Sequence, residues 1–121
     1  MNFYLYKANI VRVIDGDTIV CNIDLGFDTW ILNEHVRLLG INTPEVRTRD
    51  PIEKAAGIES KHFVDVFLKN HDDKVILETA YDSGGKYGRT LATVYAIDED
   101  SGDLINLNEK LVEEGYAMLY N

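Results

Sequence analysis

Residues 3–39, FYLYKANIVRVIDGDTIVCNIDLGFDTWILNEHVRLL, decide the fold. Tyr, Ile, Val and Phe crowd residues 3–14, a composition that suits a pleated, half-buried strand. Asp15-Gly16 is a turn dipeptide, and β-prone residues resume from Thr18 to Leu25. Gly26-Phe27-Asp28 breaks the run again, and Thr29 to Leu39 supplies a third strand around Trp30, Ile31, Val36 and Leu38. Three strands joined by such short connections predict an antiparallel meander.

Beyond this stretch the period of the pattern changes. Asp50-Pro51-Ile52-Glu53 opens a helix with an N-cap, a first-turn proline and an acid. Gly57 leaves open a helix that is stable only after it. Ile58, Phe63, Val66 and Phe67 form a partial helical stripe, which Asn70-His71-Asp72-Asp73 ends. Lys74 to Ala80 and Thr90 to Ile97 are two further strands around the polar, glycine-bearing stretch 82–89. Asn106 and Glu109 repeat the capping pattern, Leu107, Leu111 and Val112 supply an apolar face, and Gly115 fits the C-cap. The predicted order is βββ-α-ββ-α. It is an α+β fold dominated by its strands, and five short strands with a capping helix fit a barrel of the OB type. Closing the barrel removes the strand edges that a β-rich chain must protect.

Composition narrows the function. The 121 residues contain no repeat or linker and read as one domain over 1–121. Twelve basic against 21 acidic residues leave a net charge of −9, which excludes attachment to nucleic acid by bulk positive charge. The acids are uneven: residues 98–114 hold seven of them against Lys110 alone, whereas Arg37, Arg47, Arg49 and Lys54 fall within 37–54. A locally positive rim on an acidic body is therefore expected. Cys21 is the single cysteine, so no intrachain disulfide forms. His35, His62 and His71 lack the spacing of a zinc site. No apolar run approaches the ~20 residues of a membrane-spanning helix. The start, Met1-Asn2-Phe3-Tyr4, lacks a secretory leader, which suits an intracellular protein or a trimmed secreted domain.

The chemistry concentrates in Asp15-Gly16-Asp17-Thr18, in Arg37 to Glu45, and in Lys86-Tyr87-Gly88-Arg89. Taken singly, each has an ordinary explanation: a hairpin turn, a surface ion pair, a loop before proline, a solvated turn. Together they place carboxylates, an Asn carbonyl, two arginines and a lone Glu at strand ends. Carboxylate and carbonyl oxygens suit a hard cation such as Ca2+. Paired guanidinium forks suit a phosphodiester, and a nearby Glu can orient or deprotonate water.

These segments, VIDGDTI (13–19), VRLLGINTPE (36–45) and KYGRTLA (86–92), resemble the staphylococcal nuclease-like family in order and in spacing. The likeness extends over nearly the whole chain, with Gly57, Phe63, Asn108, Glu109 and Gly115 as scaffold positions. It implies a calcium-dependent nuclease on an OB barrel that hydrolyses DNA and/or RNA with little sequence preference and leaves 3′-phosphate ends. It also implies that Asp17, Asn42 and the Thr43 carbonyl bind calcium, with Asp15 acting through water. Glu45 becomes the general base, Arg37 and Arg89 clamp the phosphate, and Lys86 and Tyr87 touch the terminal phosphate and sugar.

Asn42 stands where the family's usual enzyme has Asp, so weaker calcium binding is expected. The family continues into a third helix beyond the position of Tyr120-Asn121, so 1–121 reads as a domain lacking that helix. A monomer is expected. The competing reading is a non-catalytic OB module that binds nucleic acid or protein, favoured by Asn42 and the acidic charge.

Overall fold

The computed structural model describes residues 4–81 and 90–120. Its main sheet contains β1 (Leu5–Asp15), β2 (Thr18–Asp24), β3 (Trp30–Leu38), β5 (Lys74–Tyr81), β6 (Thr90–Ile97) and β7 (Leu104–Asn106), with β4 (Ile41–Asn42) in a separate ribbon. The order is β3-β2-β1-β5-β6-β7, and a parallel pairing of β3 with β6 closes the first five into a barrel. The predicted meander is present: β1 pairs β2 and β2 pairs β3, both antiparallel. Register shifts at Ile10/Arg12 and Val13/Asp15 bend β1, which serves β2 along its length and β5 over Leu5–Asn9. Such bulges supply the curvature that closure needs.

Strand alternation fills the interior. Ile19, Cys21 and Ile23 of β2, Val36 and Leu38 of β3, Val75 and Leu77 of β5, and Ala92, Val94 and Ala96 of β6 all point inward. Helix α1 (Pro51–Lys69) closes one end with Val64, Phe67 and Leu68, and α2 (Leu107–Glu113) adds Leu107 and Leu111. Asn108, buried on α2, ties that helix to the closure seam. Its amide donates to the carbonyls of Leu39 and Ala92 and its oxygen accepts from the Val94 N–H, at 2.9, 3.2 and 3.0 Å. β8 (Met118–Leu119) then pairs with β4.

Both predicted caps form. Asp50 Oδ1 accepts from the Ile52 N–H and Asn106 Oδ1 from the Glu109 N–H, each at 3.0 Å. The helix starts at Pro51, as the cap predicts, and runs unbroken through Gly57, which closes the alternative that the glycine left open. One detail of α1 differs from the sequence reading: its buried face is Gly57, Ser60, Val64, Phe67 and Leu68, while Ile58 and Val66 are exposed, because small residues carry part of that face. A Cβ on Gly57 would lie 2.5 Å from the Glu45 carbonyl oxygen, so the glycine marks where a loop lies on the helix, not where the helix starts. Among the described residues no helix is long and apolar enough to cross a membrane.

Candidate active site

The β1–β2 turn is pressed inward because Gly16 has no side chain. A Cβ there would come within 2.9 Å of Ser60 Cβ on α1 and 3.0 Å of Thr43 Cγ2. The next residue, Asp17, is only 8% exposed, and a carboxylate buried to that degree needs polar partners. Oδ2 accepts from the Thr43 N–H at 3.0 Å and lies 2.9 Å from Arg37 Nη1, while Oδ1 accepts from the Thr18 hydroxyl at 3.0 Å.

Arg37 reaches the turn through strand alternation. Val36 and Leu38 on either side of it are buried in the barrel, which turns Arg37 to the outer face at the point where β3 pairs with Thr18. Its second nitrogen, Nη2, donates to Asn42 Oδ1 at 2.5 Å. One guanidinium therefore bridges Asp17 and Asn42, using the fork geometry that distinguishes arginine from lysine. Asn42 is held in place by β8: Asn42 pairs with Met118, Ile41 with Leu119, and the Tyr120 N–H donates to the Gly40 carbonyl at 2.8 Å.

The segment after β4 completes the cluster. Thr43 is buried, and its hydroxyl Oγ1 has no hydrogen-bond partner within the described protein. Asp15 Oδ1 accepts from the Val46 N–H in a long bond of 3.4 Å. Glu45 has an exposed side chain and a backbone carbonyl seated against Gly57. Of the residues singled out from sequence, Asp17, Arg37, Asn42 and Thr43 are joined by direct contacts. The Asp15 carboxylate reaches the Val46 N–H, and among the described residues the exposed Glu45 side chain is not tied to the cluster by a hydrogen bond or ion pair. Lys86, Tyr87 and Arg89 lie outside the described residues.

Sequence reasoning missed Ser60. It is almost fully buried, meets Gly16, and donates its hydroxyl to the Tyr116 carbonyl at 2.8 Å. Its signal was the spacing of two small residues, Gly57 and Ser60, three apart on one helical face.

Among the described residues no three His, Cys, Asp or Glu side chains gather as a metal centre. The side-chain acceptors here are all hard oxygens: the carboxylates of Asp15 and Asp17, the Asn42 amide oxygen, and the buried Thr43 hydroxyl, which has no partner within the described protein. That oxygen set fits a hard cation that completes its shell with water. The charge is low, because Arg37 already neutralises Asp17.

Comparison with known proteins gives consistent matches. Residues 35–121 match the family model described as staphylococcal nuclease homologue. An uncharacterized protein of Methanocaldococcus jannaschii is 33% identical over 131 residues, covering 95% of this chain and 59% of that protein. A thermonuclease of Staphylococcus intermedius is 40% identical over 117 residues, covering 94% of this chain and 57% of its own length. A thermonuclease of Staphylococcus hyicus is 37% identical over 117 residues, with 96% and 59% covered. The chain thus spans somewhat more than half the length of each of these relatives.

Proposed function

The chain belongs to the staphylococcal nuclease homologue family, and from that premise we propose that it is a calcium-dependent phosphodiesterase acting on DNA and/or RNA, with little sequence preference. The observation that supports this most directly is the convergence of Asp17, Arg37, Asn42 and Thr43 from three separate chain segments. A scaffold alone needs no guanidinium fork between two oxygen acceptors at a barrel mouth.

In this reading Asp17, Asn42 and the Thr43 carbonyl hold calcium, with Asp15 acting through water. The ion supplies positive charge that offsets the charge building on phosphate oxygens. Arg37 gives up at least one of its two present partners and receives the phosphate. Glu45 orients a water and accepts its proton as the water oxygen bonds to phosphorus. The P–O5′ bond breaks, the electron pair leaves on the 5′-oxygen, and that oxygen takes its proton from solvent. The phosphate stays on the 3′ side. Arg89 supports the departing oxygen, and Lys86 and Tyr87 contact the terminal phosphate and sugar. A fixed cation set aimed at developing charge is the strongest device such a site has.

Incubation with single-stranded DNA, with calcium or with chelator, tests the proposal. Calcium-dependent cleavage is expected, falling by orders of magnitude in Glu45→Gln and Arg37→Lys. No cleavage at high protein excess with saturating calcium removes the enzyme reading.

One observation favours the second reading, a non-catalytic module. The Arg37 fork occupies acceptors on both Asp17 and Asn42, so these two residues are paired without an ion. Calorimetric titration separates the two readings: calcium binding strengthened by a nucleotide bisphosphate supports the enzyme, and nucleic-acid binding indifferent to calcium supports the module.

A further inference from the structure

The far end of the β2–β3 hairpin carries apolar side chains that the fold covers only in part. Phe27 is fully exposed, Leu32 is 65% exposed, and Leu25, Trp30 and Ile31 are exposed beside them. Scattered exposed apolar residues need no explanation, but five within residues 25–32 around one turn do. The backbone deepens the puzzle. The Thr29 N–H donates to the Gly26 carbonyl at 3.0 Å, and the two central residues, Phe27 and Asp28, have φ of 54° and 58°. Turns of this kind favour Asn or Gly, and a bulky aromatic at positive φ is an outlier. Phe27 therefore bears a backbone cost and gains no burial.

The strand behind the turn is also irregular. Cys21 pairs with Glu34 but Ile23 pairs with Ile31, so β3 holds one extra residue opposite Asn22. Asn33 absorbs it at φ 55°, with its N–H donating to Asn22 Oδ1 at 2.9 Å. Bulges re-aim side chains, and Leu32 beside this one projects into solvent.

Charge decides what such a surface receives. Between Val13 and Val36 the sequence has no Lys or Arg, and Asp24 and Asp28 flank the hairpin turn. Glu34 instead accepts from the Thr90 hydroxyl at 2.9 Å, and one exposed cation, Lys7, stands on the neighbouring strand beside the Ala8–Ile23 pair. A polyanion is repelled, and so is a second copy of a chain with net charge −9. We propose that this hairpin end is a docking surface for a cationic polypeptide segment bearing apolar side chains, which the apolar group receives and the acidic border orients. Trp30 lies seven residues from Arg37 along β3, about 23 Å at the usual strand rise. Docking there leaves the barrel mouth open, so the proposal does not depend on the nuclease reading.

Trp30 is the sole tryptophan and reports directly. Titration with a synthetic amphipathic peptide of lysine and leucine is expected to shift its emission to the blue, saturably, and about tenfold more weakly at high salt. Asp24→Asn with Asp28→Asn is expected to weaken the peptide about tenfold. Phe27→Asn with Leu32→Ser is expected to lose the shift while the protein stays folded, with an unchanged or raised Tm and unchanged DNA cleavage. Several results overturn the proposal: no shift with the peptide, a shift that persists in the Phe27/Leu32 variant, or an equal shift with single-stranded oligonucleotide, with phosphatidylcholine vesicles, or on raising protein concentration alone.

Discussion

Arg37 and Asn42 carry the most consequential choice at the scale of single residues. With Asn at 42 the guanidinium spans one carboxylate and one neutral amide, at 2.9 and 2.5 Å. An Asp there adds one negative charge to the oxygen set. It strengthens the hold of Arg37, but a dication gains twice what a monocation gains from the same added charge at equal distance. Asn42→Asp is therefore expected to tighten calcium binding by about tenfold, roughly 1.4 kcal/mol, as measured by calorimetry. Unchanged or weaker binding would mean that Arg37, and not an ion, is the native occupant of the Asp17–Asn42 gap. The residue types themselves were readable from sequence because their chemistry travels with their identity. That Arg37 grips both oxygens was not, since twenty residues separate Asp17 from Arg37 and only the β2–β3 register brings them together.

Helix α1 shows how an element positions the mouth. Gly57 and Ser60 form the face on which the Glu45 backbone and the β1–β2 turn rest. Alanine is the better helix former by about 1 kcal/mol, so on propensity alone Gly57→Ala should stabilise. A Cβ at 2.5 Å from the Glu45 oxygen and 2.7 Å from its carbon meets backbone that cannot swing aside. The overlap wins: Gly57→Ala is expected to destabilise by about 1–3 kcal/mol in urea unfolding and to displace Glu45. A stabilised variant would show that the loop does not lie on the helix as described. At α2, Asn108→Ala leaves the Val94 N–H and the Leu39 carbonyl without their side-chain partner. It is expected to cost about 2–3 kcal/mol in the same assay, the range for stranded buried polar groups. Both helices and their caps were legible, because a cap is a local code of four residues. The buried face of α1 was not, because hydrophobicity cannot see a contact made by the absence of a side chain.

Over the whole molecule, closure of the barrel sets the fate of its one thiol. Cys21 is fully enclosed by the strands, and burial, with help from the charge of Glu34, pushes its pKa from 9.0 up to about 12. The unfolded thiol ionises first, so this group's contribution to stability is complete below pH 9 and declines as pH rises from 9 toward 12. Cys21→Ala should lose less stability than the parent over that alkaline range. At pH 8, an aromatic disulfide reagent should label Cys21 only as fast as the barrel opens; fast labelling of folded protein would contradict the closed seam. The sequence by itself determined the five strands, both helix caps and the oxygen- and guanidinium-bearing residue types, since periodicity, capping and side-chain chemistry act within a few residues. The tertiary structure alone decided that β3 meets β6, that Gly16, Thr43 and Ser60 touch, and that the apolar side chains of residues 25–32 face water. Those outcomes depend on which distant segments exclude one another from solvent, and no local pattern encodes that competition.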